Sequence, residues 1–96
     1  MLLAITYDVN TKSMAGEKRL RKVAKICERY GIRVQNSVFE VLVSAAEVAE
    51  LKAELRKAID IDKDSIRFYK LGNSYERKIE KMGKQSPVQT GEALMF

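Results

Sequence analysis

The chain has 96 residues, one cysteine and no histidine, which is the size of one domain and excludes a zinc centre or a histidine-based catalytic triad. Hydrolytic chemistry would have to run on carboxylates, hydroxyls or an oxygen-bound metal. Lys and Arg number 18 against 13 Asp and Glu, and the net charge of +5 points to a polyanionic partner.

No apolar run is long enough for a membrane-spanning helix. No signal segment is expected, and the lone thiol of Cys27 fits a reducing cytoplasm. The first predicted strand covers residues 2–10, apolar and β-branched at Ile5, Thr6 and Val9. A carboxylate, Asp8, interrupts this apolar run. Carboxylates are rarely buried without a partner or a metal. Asp8 therefore has two readings: a ligand for a divalent cation, or a cap for the loop over residues 10–13.

Ser13, with Gly16 and Glu17 behind it, marks a helix start. Leu20, Val23, Ala24, Cys27 and Tyr30 share one stripe, which predicts a helix over residues 17–30 with Gly31 as its C-cap. The other face is basic: Lys18, Arg19, Arg21, Lys22, Lys25 and Arg29 against Glu17 and Glu28. The valine-rich stretch that follows is interrupted at Gln35-Asn36-Ser37. It predicts a short strand over residues 33–35 and a longer one over 37–43. Ser44 and Glu47 form a capping box for a helix over residues 45–59, with Val48, Leu51, Leu55 and Ile59 on one face. An acidic loop over residues 60–64 leads to an alternating strand over 65–71. Residues 75–82 are ambiguous, 83–91 read as linker, and Ala93-Leu94-Met95-Phe96 is apolar.

The order β-α-β-β-α-β is that of a ferredoxin-like α+β fold, with both helices on one face of a four-stranded antiparallel sheet. The bare apolar face predicts a homodimer. Residues 1–73 are expected to form the domain, and residues 74–96 an appendix whose apolar end is expected to contribute to the dimer. This fold gathers Asp8, Thr11, Ser13, Lys18 and Arg19 in one region. Magnesium takes one or two carboxylates and fills its octahedron with waters and phosphate oxygens. One Asp8 per chain is too few for a strong site, whereas two across a dimer axis make a credible one. The basic helix reads equally as a phosphate contact or a solvated face. Tyr7, Phe39 and Tyr69 read as core or dimer contacts before base-stacking platforms, and Glu40 as an outward residue paired to Arg33 or Arg67. An RNA-recognition module is disfavoured, because aromatic and basic residues do not interleave on one strand.

Three stretches carry a resemblance. Thr6-Tyr7-Asp8-Val9, the basic Arg19-Leu20-Arg21-Lys22-Val23-Ala24-Lys25, and Arg33-Val34-Gln35-Asn36-Ser37-Val38-Phe39-Glu40 together resemble the small CRISPR-associated nuclease that partners the CRISPR integrase in spacer acquisition. The likeness runs on through Phe68-Tyr69-Lys70-Leu71-Gly72-Asn73 to Leu94-Met95-Phe96. It implies a homodimer in which Asp8 meets its mate across the axis as the catalytic metal ligand, for magnesium or for manganese in its place. It implies that Arg19, Arg21, Lys22 and Arg33 contact phosphates, with Tyr7, Ser37 and Phe39 near the site. It also implies a fifth strand over residues 77–82 that adds to the partner's sheet edge. The activity implied is a cytoplasmic, metal-dependent endonuclease of antiviral defense, acting on duplex DNA ahead of single-stranded RNA. The alternative is a non-catalytic subunit bridging DNA between integrase dimers. A third reading, a small-molecule-sensing ferredoxin-like dimer, is disfavoured by the basic first helix and by the lack of a Gly-rich ligand loop.

Overall fold

Strand β1 (Leu2–Asp8) is the inner strand on which the sheet is assembled. In the computed structural model, which describes residues 1–74, 78–80 and 82–83, it is followed by α1 (Met14–Glu28), β2 (Gly31–Gln35), β3 (Val38–Leu42), α2 (Ala45–Ala58) and β4 (Ser65–Gly72). The strand order is β2-β3-β1-β4, and β1 runs antiparallel to both β3 and β4. This is the expected ferredoxin-like arrangement.

The period of two along β1 divides the molecule. Leu3, Ile5 and Tyr7 turn towards the helices and pack with Phe39 and Val41 of β3, Val23 and Cys27 of α1, and Leu51 and Leu55 of α2. Each buried side chain of this size contributes about 1.5–3 kcal/mol, so this layer dominates the stability. No helix among the described residues packs on the opposite face. That face carries Ala4, Thr6 and Asp8 of β1, Ile32 and Val34 of β2, Val38, Glu40 and Leu42 of β3, and Ser65, Arg67 and Tyr69 of β4. Leu42 and Tyr69 there are 46% and 47% exposed. At one end of this face Leu2 is covered by Ile32, Leu71 and Ile79, and the Lys78 ammonium donates to the Leu71 carbonyl at 3.0 Å. The expected fifth strand includes residues 77 and 81, which, like the tail over 84–96, lie outside the described residues. No described helix is long and apolar enough to cross a membrane.

Helix ends follow local chemistry. Ser13 Oγ accepts from the Gly16 N–H at 3.1 Å and starts α1. The Ser44–Glu47 capping box is complete, with Glu47 Oε1 accepting from the Ser44 N–H at 2.8 Å. The end of α1 differs from expectation. The helix stops at Glu28, its cap is Arg29 in the right-handed region, and Gly31 already belongs to β2 without a positive φ. Glycine is required there by close approach: a Cβ on residue 31 would lie 2.1 Å from the Glu40 carbonyl oxygen of β3. Gly31→Ala must push β2 off β3. It should cost about 1–3 kcal/mol, the usual penalty of overpacking. Urea unfolding measures this, and an unchanged midpoint would contradict the close approach.

Candidate metal and nucleic-acid site

Asp8 is the last residue of β1, and its side chain alternates with that of Tyr7 to reach the face opposite the helices. It is exposed and makes no side-chain hydrogen bond or ion pair with another described residue. The expectation of a buried strand carboxylate is thus corrected, because the apolar alternation of Leu3, Ile5 and Tyr7 places residue 8 on the outer face. Nor does Asp8 cap the following loop. The Lys12 N–H donates to Asn10 Oδ1 at 3.0 Å, so Asn10 fills that role.

The buried carboxylate is Asp64, in the turn before β4. Its side chain is fully buried. Arg19 Nε donates to its Oδ2 at 2.8 Å and Arg19 Nη2 to its Oδ1 at 3.3 Å. The backbone N–H groups of Asn10 and Asp60 add bonds of 3.0 and 2.9 Å. The Arg19 guanidinium, helped by these two amides, holds the Asp64 carboxyl down to about 2 against the desolvation that opposes it. This cluster ties the loop after Asp8 to α1 and to the start of β4. Gly16 completes the junction, since a Cβ there would lie 1.9 Å from the Asn10 carbonyl oxygen.

The other site candidates divide between two layers. Tyr7 is buried on the helix side, its ring 6.1 Å from that of Phe39 and its hydroxyl donating to the Asn36 carbonyl at 3.2 Å. Burial pushes its phenol up. Arg33 lies over the Phe39 ring at 5.2 Å, with Nη2 3.8 Å from Glu28 Oε2. Ser37 touches the end of β1 through its carbonyl, which accepts from the Tyr7 N–H at 3.1 Å. That bond fixes the β2–β3 turn beside the residue preceding Asp8. Arg21 and Lys22 are exposed on α1, in the helix layer. Arg19 also lies on α1, but its side chain is 18% exposed and engaged by Asp64. The structure therefore brings the Ser37 turn to Asp8, and sets the side chains of Tyr7, Phe39 and Arg33 on the opposite face of the sheet.

Sequence reasoning passed over Asp64 as a loop acid and Arg67 as a pairing partner. The signal for Arg67 lies in the strand register, with Asp8 opposite Ser65 and Thr6 opposite Arg67. Arg67 thereby shares Asp8's face, one pleat away. A groove of about 460 Å³ lies elsewhere, between α2 and β4, lined by Lys52, Leu55, Arg56, Ile59 and Phe68 among others, and does not include Asp8.

Among the described residues no three metal-ligating side chains come together. One exposed carboxylate such as Asp8 could hold a hard cation only with further oxygens, since magnesium accepts one or two carboxylates and takes its remaining oxygens from water and phosphate.

Comparison with known proteins identifies the family of the chain. The family model described as CRISPR associated protein Cas2 matches residues 1–79. A CRISPR-associated endonuclease Cas2 of Halalkalibacterium halodurans is 53% identical over 96 residues, covering 100% of both chains. A CRISPR-associated endoribonuclease Cas2 of Rhodospirillum rubrum is 48% identical over 87 residues, 91% of this chain and 92% of the relative. The crystal structure of Streptococcus pyogenes Cas2 superposes with a TM-score of 0.77 at 54% identity, covering 86% of this chain and 100% of that one. A full-length relative above half identity and a family model spanning every described element make one conclusion secure: the chain belongs to the Cas2 family of CRISPR-associated proteins.

Proposed function

We propose that this chain is a CRISPR-associated endonuclease in which Asp8 of two copies holds one magnesium ion, or manganese in its place, against a phosphodiester. The observation that carries the reading is the exposed Asp8 carboxylate at the end of β1, uncommitted to any other described residue. It sits on a sheet face whose Ile32, Val34, Val38 and Leu42 form an apolar surface for a second copy. A homodimer closing over that face supplies the second carboxylate. When bound, the ion activates water and neutralises phosphate charge. The chain's own groups do the rest. The Ser37 turn fixes the end of β1, the Asp64–Arg19 cluster fixes the loop after it, and exposed Arg21 and Lys22 bind backbone phosphates without reading bases. Arg33, half-exposed at the sheet edge, remains available to phosphate, while Arg19 acts through the loop it holds.

Relatives bear both endonuclease and endoribonuclease names. We take duplex DNA as the substrate and the cytoplasm as the place of action, in spacer acquisition beside the CRISPR integrase. A second reading, a non-catalytic bridge, is favoured by one observation: Arg21, Lys22 and Lys25 lie in the helix layer, apart from the Asp8 face. The test is cleavage of end-labelled duplex DNA and of single-stranded RNA, with magnesium and with chelator. The expected result is duplex cleavage that the chelator abolishes. Cleavage undiminished by chelator would remove the metal reading, and cleavage of RNA alone would remove the DNA preference.

A further inference from the structure

We infer that the groove between α2 and β4 is the docking site of this chain's own C-terminal segment, residues 92–96, in place of the dimer role expected of that segment. The groove lies on the helix side of β4, and the second copy is assigned to the opposite face, so the two do not compete. Its volume of about 460 Å³ falls in the size range of ligand pockets. The floor is apolar: Leu55 and Ile59 of α2 stand against Ile66 and Phe68 of β4. Ile59, Ile66 and Phe68 are only half-buried, and Ile61 at one end is 74% exposed. Contiguous apolar surface of this kind marks an interaction site.

Charge and order along the groove select the occupant. Lys52 and Arg56, neighbours one helical turn apart, line it, and neither forms an ion pair with a described residue. The Lys52 ammonium lies over the Phe68 ring, 5.3 Å from its centroid. Asp64 also lines the groove, but its carboxylate is held by Arg19. The groove therefore presents positive charge beside an apolar floor. Residues 84–96, outside the described residues, contain a single acid, Glu92, followed at once by Ala93-Leu94-Met95-Phe96. In an extended segment Glu92, Leu94 and Phe96 fall on one side. The direction matches as well. Ile79 packs beside Leu2 and Leu71, at the end of the sheet from which the chain enters α2. A segment arriving from there meets Lys52 and Phe68 before Ile59 and Ile66. Glu92 thus reaches the cations, and Leu94 and Phe96 reach the apolar end. The span suffices: Glu92 is 13 residues beyond Ile79, an extended reach of about 43 Å against the roughly 26 Å of β4.

The experiment compares the full chain with a form ending at Gly91 and with Glu92→Lys, by backbone amide NMR and thermal melting. Loss of residues 92–96 should move the amide signals of Leu55, Ile59, Ile66 and Phe68 and leave those of β2 and β3 in place. It should also lower the melting temperature by about 4–8 °C. Glu92→Lys, a milder change that keeps the chain whole, should move the same signals in the same direction. Adding Lys52→Glu and Arg56→Glu to it should return Ile66 and Phe68 towards their parent positions. Groove signals that stay in place in both Glu92→Lys and the shortened chain overturn the inference. So does movement confined to β2 and β3, which would give the segment to the dimer face. A mixed dimer decides whose segment docks. Isotope-labelled shortened chain paired with unlabelled full chain should keep its displaced groove signals. Their return to the parent positions would assign the segment to the second copy and overturn docking within one chain. None of these measurements uses metal or nucleic acid, so the outcome is independent of the role of Asp8.

Discussion

Asp64→Ala is expected to lower the melting temperature by more than about 10 °C. The Asp64 side chain is fully buried and accepts from Arg19, Asn10 and Asp60. Alanine leaves a guanidinium only 18% exposed without its counter-charge and two amides without an acceptor. Breaking a buried pair from one side costs about 3–5 kcal/mol, far above the fraction of a kcal/mol of a surface pair. The loss also has a pH signature. The Asp64 carboxyl is held at about 2, below its ordinary 3.8. Its contribution is therefore fully present above the ordinary value and disappears as pH falls through the depressed one. Parent and variant should differ widely at neutral pH and converge in strong acid. An equal gap at both ends would show that the charge on Asp64 is not what holds the loop. Because the loop follows Asp8 directly, the variant should also reduce cleavage at temperatures where it remains folded.

This cluster shows where the sequence stops being informative. The helices were legible because their signals are local. The stripe from Leu20 to Tyr30 and the Ser44–Glu47 box need no knowledge of the rest of the chain. Asp64 and Arg19 are 45 residues apart. Nothing in Asp60-Ile61-Asp62-Lys63-Asp64 tells which acid turns inward, and nothing in the basic first helix tells which arginine meets it. The local sequence at Gly31 misleads for a related reason. A glycine at a helix end suggests a left-handed cap, yet this one answers to the Glu40 carbonyl on another strand. Arg67 required the register between β1 and β4, which a period of two leaves undetermined until the strands are paired. Asp8 was partly legible. Its charge within an apolar run marked it as unusual, and the same alternation that buries Ile5 and Tyr7 assigns it to the face opposite the helices.

Asp8→Asn should abolish magnesium-dependent cleavage while leaving the fold intact. Asparagine keeps the shape and removes the charge. Asp8 is exposed and without a side-chain contact to another described residue, so stability should shift by no more than about 0.5 kcal/mol, as for an ordinary surface position. Binding to duplex DNA without metal should be equal or stronger, since a charge of the same sign as the backbone has gone. Cleavage should fall by about 100-fold or more, because losing a ligand outright exceeds the roughly 10–100-fold typical of losing one of a ligand's outer partners. The cap reading of Asp8 makes the opposite forecast. Asparagine accepts hydrogen bonds as well as aspartate in such turns, so cleavage would be untouched. The loop's bonds to Asn10 and Asp64 already leave that role filled. Supplying the same variant to an integration assay with the integrase partner then separates the two remaining roles. A bridge needs the fold, the dimer and the basic residues, and Asp8→Asn retains all three, so integration should proceed at the parent rate if bridging is the function. If cleavage by this chain supplies the DNA that is integrated, integration should fall in step with cleavage and recover when pre-cut DNA is given. Full-rate cleavage by Asp8→Asn would falsify the metal assignment, and a lowered melting temperature would show that Asp8 bears on the fold after all.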